Sequence, residues 1–252
     1  DYIAGRWETP EIESLFRFFL QNMDAFDGFA DGNLFHRSLL ALHNRVVRRN
    51  SRKGSERNIR AHYDVGNQFY SLWLDRTMTY SSALAMQQSS TLEGAQHNKY
   101  GRILSRIGHD NSNVLEIGCG WGGFAEQASS ANHRVTGLTV SPAQYEYSRK
   151  RLGNQADIRL QDYRDVPEQF DHIVSIEMFE AVGREYWGQF FRSVHDKLKP
   201  GGRACIQSIT IRDDLFDRYV RSTDFIQQYI FPGGLLPRPS QFRAYAEKAG
   251  LR

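Results

Sequence analysis

The stretch VLEIGCGWGG, Val114 to Gly123, decides how this chain is read. Val114, Leu115 and Ile117 around Glu116 have the apolar run of a buried strand, and they lead directly into Gly118, Gly120, Gly122 and Gly123. Glycines at that place let the backbone turn tightly beside a ligand. Gly118, Gly120 and Gly123 also satisfy GxGxxG, a spacing that by itself does not separate a nicotinamide cofactor from S-adenosylmethionine.

Two neighbours tilt the balance. A nicotinamide dinucleotide calls for an acid about 20 positions further on, at the end of the second strand, to bind a ribose hydroxyl. Leu138, Thr139, Val140 and Ser141 stand there instead. Glu116 in the first turn would repel a pyrophosphate, and it suits the cationic amino-acid end of S-adenosylmethionine. The plainer alternative is that Glu116 pairs with a basic neighbour and the glycines serve helix packing.

Outward from this motif, β-rich runs alternate with helical patterns. Val114 to Ile117, Arg134 to Val140, Ile158 to Gln161, His172 to Ile176 and Arg203 to Ile209 read as strands, which predicts a parallel sheet covered by helices. FPGGLLPRP, Phe231 to Pro239, reads as a loop before a final helix starting near Ser240. Toward the N-terminus, Ile12, Leu15, Phe16, Phe19 and Leu20, then Leu39, Leu40, Leu42 and Val46, fall at helical spacing. The expectation is an α/β, Rossmann-like sheet with helices on both faces, preceded by a small helical segment.

With 252 residues, 40% hydrophobic and 24% charged, the chain has the composition of an ordinary globular protein with one main domain. Cys119 and Cys205 stand in no CxxC or Cys/His cluster, which argues against a disulfide framework and against any metal site, and fits a reducing cytoplasm. No apolar run approaches the roughly 20 residues that span a bilayer, so membrane contact is expected to be peripheral. The net charge is only +3, yet Arg45, Arg48, Arg49, Arg52, Lys53, Arg57 and Arg60 oppose the single acid Glu56 in one stretch. That stretch reads either as a solvated helix end and linker or as a site for anionic headgroups at the inner face of a membrane; nucleic acid is the weaker third reading and is not expected. The chain opens on Asp1 rather than Met, which suggests a trimmed or processed piece.

Four stretches together resemble the cyclopropane fatty acid synthase family: AHYDVGNQFYSLWLD (Ala61 to Asp75), VLEIGCGWGGFAE (Val114 to Glu126), LTVSPAQ (Leu138 to Gln144) and LQDYRDVPEQFDHIVSIEMFEAVG (Leu160 to Gly183). YIFPGG, Tyr229 to Gly234, agrees with them. The resemblance implies a class I methyltransferase domain over residues 61–252 behind a helical, basic segment, residues 1–60, that closes a small N-terminal domain. It implies that Tyr80 and Ser81 approach S-adenosylmethionine and that Glu116, Gly118, Gly120 and Gly122 hold its methionine end. Thr139 and Gln144 would flank ribose and adenine, with Asp162 and Tyr163 at the adenine. The implied acceptor is an unsaturated fatty acyl phospholipid, met at an anionic membrane surface; a homodimer is compatible with this, although no residue points to one.

The implied catalytic set departs from the family. There a bicarbonate, held by a cysteine, a glutamate, a histidine, an isoleucine backbone group and a C-terminal tyrosine, removes a proton after methyl transfer. Here Glu180 and Ile209 match, whereas Ser82 stands for the cysteine, Gln207 for the histidine, and Ala181 for the histidine that follows the glutamate. The tyrosine cannot be placed, because the sequence stops at Arg252 just after the last expected helix. Ser82 and Gln207 can still donate to an anion, but the changes predict a methyl-branched or methylene product instead of a ring. Glu180 also has a plainer reading as a helix N-terminal acid. Phe69, Tyr70, Trp73, Phe225, Tyr229 and Phe231 read either as an acyl channel or as core, and His62, Tyr63 and Asp64 either as part of a cofactor lid or as packing and a cap. Two rivals remain: a small-molecule methyltransferase of the same fold, and a lipid-binding module that has lost catalysis.

Overall fold

The computed structural model describes residues 2, 4–22, 25, 54, 66–87, 91–108, 111–221, 226–231 and 233–252, without the side chains of 228 and 229. The basic residues of the stretch from Arg45 to Arg60, the helix expected around Leu39 to Val46, His62, Tyr63, Asp64, Phe225 and the Tyr229 side chain lie outside the described residues.

Five strands, β1 (Asn113–Ile117), β2 (Arg134–Thr139), β3 (Asp157–Leu160), β4 (Phe170–Ile176) and β5 (Leu198–Gln207), form one parallel sheet in the order β3-β2-β1-β4-β5. All five coincide with predicted strands. β5 differs most at its ends, because pairing begins at Leu198 and jumps from Phe170↔Leu198 to His172↔Arg203. At its far end Ser208 and Ile209 leave the ladder, since the Ile209 N–H is donated to the Glu180 carboxylate.

The helices are α1 (Ile12–Gln21), α2 (Asn67–Ser71), α3 (Leu92–Ile107), α4 (Gly123–Ser130), α5 (Pro142–Leu152), α6 (Trp187–Lys197), α7 (Phe216–Arg221) and α8 (Pro239–Lys248). Local chemistry sets their starts. Thr91 accepts the Gly94 N–H ahead of α3, and Ser141 accepts the Gln144 N–H ahead of α5, where Pro142 takes the first turn. α1 forms where its apolar spacing predicts, but none of its residues is buried.

Successive strand residues point to opposite faces, so the sheet divides the core in two. On one face Val114, Val135, Ile158 and Val174 pack with Tyr100 and Ile103 of α3, Phe124 of α4 and Leu152 of α5. On the other, Leu115, Ile117, Leu138 and Ile173 pack with Trp187, Phe190 and Phe191 of α6, backed by Phe242 and Tyr245 of α8. Phe179, just past β4, is fully buried among Trp187, Phe190, Phe191 and Phe242, at ring separations of 5.5, 5.1, 5.3 and 5.1 Å. α4 therefore follows β1 on one face while α6 follows β4 on the other, and a crevice opens at the carboxyl ends of β1 and β4, where ligands bind in such sheets.

Phe179 fixes the turn that borders this crevice. Phe179→Ala should lose about 3–5 kcal/mol, the usual cost of removing a buried aromatic ring, measured by urea denaturation followed by circular dichroism.

Candidate active site

The crevice holds a cavity of about 170 Å³. Glu116, Gly118 and Gly120 line it from the first turn, Thr139 and Gln144 from the exit of β2, Asp162 and Tyr163 from the turn after β3, and Tyr80 and Ser81 from the segment before α3. Every residue expected at the cofactor is thus brought together, with the exception of Gly122. That glycine, at φ 86°, caps α4, and a Cβ there would stand 2.9 Å from Leu152 Cδ1, so it lets α4 and α5 close on each other. Gly120, at φ 54°, has open space where its Cβ would be, which leaves its backbone accessible to a ligand.

Glu116 is buried, and its Oε2 has no hydrogen-bond partner among the described residues. Burial pushes its pKa up to about 8, opposed by the nearby Lys99 ammonium and the Ala125 N–H. Lys99 is buried as well and pushed down to about 8 by the same desolvation, opposed by Glu177, Asp75 and Glu116, while its Nζ donates to Ser81 Oγ at 2.5 Å. Glu116 Oε2 still lacks a donor among the described residues, and one buried ammonium beside it does not offset the cost of burying the charge. The ammonium group of S-adenosylmethionine would supply that donor and a second cation, so the residues present fit that cofactor.

The walls are preorganised by their own hydrogen bonds. Thr139 Oγ1 donates to Gln144 Oε1 at 2.9 Å and accepts the Ser141 N–H at 3.1 Å. The guanidinium of Arg164, which also lines the cavity, grips both Asp162 oxygens, at 2.8 and 2.6 Å. Tyr80 stands between Trp73, at 5.3 Å, and Phe231, stacked at 6.3 Å. Below it, Thr77, Thr79 and Tyr100 form a hydroxyl chain over the start of α4, with Thr79 Oγ1 and Tyr100 Oη 2.6 Å apart.

The four residues expected to be catalytic fall into two clusters. Glu180 Oε1 accepts the Ile209 N–H and, at 2.9 Å, the Ser208 hydroxyl, while its Oε2 is buried without a partner among the described residues. Burial raises the Glu180 pKa, opposed by these bonds. Ser82 and Gln207 meet each other at 3.1 Å, but both converge on a residue that sequence reasoning missed, Glu177. Its Oε1 accepts the Ser82 N–H at 3.0 Å, the Ser82 hydroxyl, and Gln207 Nε2 at 2.8 Å. The donors that the resemblance assigns to bicarbonate are therefore engaged by carboxylates of the chain itself. Glu177 lines the cavity at φ 48°, a left-handed conformation costing a side-chain-bearing residue on the order of 1–2 kcal/mol. Lys99 was also missed, although it sits on the apolar stripe of α3 between Ala95 and Ile103, both buried.

Sheet order, glycine turn and the acid beneath it define a class I S-adenosylmethionine-dependent methyltransferase. Residues 50–252 match the family model described as mycolic acid cyclopropane synthetase, and the chain belongs to that family. It is 35% identical over 257 residues to the tuberculostearic acid methyltransferase UfaA1 of Mycobacterium tuberculosis, covering 94% of this chain and 58% of that protein. With the cyclopropane-fatty-acyl-phospholipid synthase of Escherichia coli it shares 39% identity over 190 residues, 74% of this chain and 48% of that one. The chain thus spans about half the length of these curated relatives. Among solved structures, mycolic acid cyclopropane synthase CmaA1 complexed with SAH and CTAB superposes with a TM-score of 0.72 at 31% identity, covering 77% of this chain and 74% of that one.

The raised Glu116 pKa has a sign that can be tested. The folded chain keeps a proton that an ordinary carboxylate releases near pH 4.5, so stability falls as pH rises from there to about 8. Glu116→Gln should therefore raise the melting temperature of the cofactor-free protein at pH 8 and leave it unchanged at pH 4. The same variant should weaken S-adenosylmethionine binding at least about tenfold by calorimetry, since a hydrogen bond to a charged group contributes about 1.5–3 kcal/mol.

Proposed function

We propose that this chain is the catalytic part of an enzyme that transfers a methyl or methylene group to the double bond of an unsaturated fatty acyl chain on a phospholipid. The observation that carries this reading is the aromatic wall of the cavity, Tyr80 and Phe231 with Trp73 packed behind Tyr80, set beside the glycine turn. S-adenosylmethionine, when bound, supplies an electrophilic methyl on a sulfonium. An alkene is a weak nucleophile, so the chain must align the π-bond and exclude water. Tyr80 and Phe231 offer apolar faces to an acyl chain, and their π-electrons suit the cation that methyl transfer leaves on the neighbouring carbon. Glu116 and the glycine backbone would hold the methionine end, Thr139 and Gln144 the ribose side, and Asp162 with Tyr163 the adenine.

A second reading concerns the product. Ser82, Ala181 and Gln207 all depart from the residues expected of a ring-forming site, and the similarity to the protein named tuberculostearic acid methyltransferase UfaA1 runs along 94% of this chain. Both favour a methyl-branched or methylene product over a cyclopropane.

Contact with an anionic membrane surface belongs to the same proposal. It is supported by the basic residues from Arg45 to Arg60 and by the exposed apolar side chains Phe16, Phe18, Phe19 and Leu20 on α1. Among the described residues no helix is long and apolar enough to cross a membrane.

The test uses the full-length protein with methyl-labelled S-adenosylmethionine and liposomes of monounsaturated phospholipid. Label in the extracted acyl chains is the expected result, and NMR of the product then separates a ring from a branch. Cofactor binding with label only in soluble acceptors would overturn the lipid reading in favour of a small-molecule enzyme. Binding without any transfer would favour an inactive module.

A further inference from the structure

Glu177 is the residue that the reading above leaves without a task. It stands at the carboxyl end of β4, beside the cavity, and three bonds from two distant parts of the chain hold one of its oxygens. Two come from Ser82, ahead of α3, and the third from Gln207, at the end of β5. Its own N–H is donated to the Gln207 carbonyl at 2.9 Å, which fixes the backbone under the side chain. None of these bonds engages Oε2. The carboxylate is thus held by one oxygen, while no hydrogen bond among the described residues ties down the other, and its place in the cavity lining puts it within reach of a bound acceptor, the first requirement of a general base. Its left-handed backbone adds a second sign, because strain of this kind persists where the surroundings over-determine a conformation, and such places cluster at active sites.

We propose that Glu177 is the proton acceptor of the reaction, a built-in carboxylate in the place that the family resemblance gives to bicarbonate. The inference rests on the lipid reading above. In methyl transfer the alkene π-pair forms the new carbon–carbon bond, the carbon–sulfur bond breaks with its electrons remaining on sulfur, and a cation is left on the adjacent carbon. Glu177 Oε2 then takes one proton from the new methyl group. The released C–H pair closes either onto the adjacent cationic carbon, giving a ring, or, after a hydride shift has moved the cation, onto the methyl-bearing carbon, giving a methylene. The neutral Glu177 acid returns its proton to solvent before the next turnover. Ser82 and Gln207 are positioning residues in this scheme, and their departure from cysteine and histidine follows from what they now hold.

The alternative is that Glu177 is a strut tying β4 and β5 to the segment around Ser82. Two substitutions separate base from strut. Glu177→Gln keeps the shape and can still accept at its amide oxygen, and Glu177→Gly relaxes the backbone at a φ that glycine adopts freely. With the full-length protein on monounsaturated phospholipid liposomes, the wild-type rate should be the same in carbon-dioxide-depleted buffer as with added bicarbonate. Glu177→Gln should lower kcat about 100-fold or more, within the range typical of general base catalysis, with the S-adenosylmethionine Kd and the lipid KM within about threefold of wild type. Glu177→Gly should melt no lower than wild type, lose turnover, and recover at least tenfold of its rate when bicarbonate is added, since the Ser82 and Gln207 donors are then released. A wild type that requires bicarbonate, or Glu177→Gln retaining more than a third of the wild-type kcat, would overturn the inference and leave the lipid reading standing. A wild type with no transfer to any unsaturated lipid would sink both.

Discussion

The connections that leave β1 and β4 go to opposite faces of the sheet, and the crevice this opens between their carboxyl ends organises everything else in the structure. A parallel sheet buried on both faces provides stiff walls, so whatever lies at the strand ends is held by backbone rather than by loops alone. Gly118 and Cys119 both donate their N–H groups to the Leu138 carbonyl, which pins the glycine turn to the exit of β2. Asp162 and its Arg164 clamp close the far side, and Tyr80 and Ser81 lean in from a segment that precedes the sheet in sequence.

Unfavourable local terms gather in this crevice. Glu116 is buried short of a partner, Lys99 is buried beside it, and Met78 and Glu177 both adopt left-handed backbone conformations. The compensating stabilisation lies away from the chemistry, in the aromatic cluster around Phe179 and in the apolar layer between α3, α4 and the sheet. The two regions are joined at one turn. Phe179 is buried in the cluster while Glu177, two residues earlier, faces the cavity, so packing on one side of the backbone determines geometry on the other.

Much of this was legible in the sequence because it is written in local periodicity. Val114 to Gly123 shows a strand running into a turn, and the alternation that follows specifies the remaining strands to within a few residues, apart from the extended start of β5. Lys199 to Gly202 hid that start, since a Lys-Pro-Gly-Gly run carries no strand signal and joins the sheet only by an irregular register. The cofactor wall was legible through resemblance. Glu177 was not, because nothing local distinguishes it. It ends an apolar strand as many polar residues do, and its meaning comes from Ser82, 95 residues earlier, and Gln207, 30 residues later. Lys99 was passed over for the opposite reason: its position on a buried stripe was visible, but lysines on helices are usually solvated.

One feature of the surface extends past the cavity. Phe69 and Trp73 are each 46% exposed and Leu72 between them 82%, and the Trp73 ring lies against Tyr80 in the cavity wall, so apolar side chains lead from solvent to the edge of the cavity. If the acceptor is a membrane lipid, as proposed, a hydrocarbon tail following that path never has to enter water between its bilayer and the enzyme. The quantity governing encounter is then the number of tails per unit area of membrane, together with how tightly they are packed. Dilution at fixed vesicle composition would leave a bound enzyme's local supply unchanged, while stiffening the bilayer would starve it.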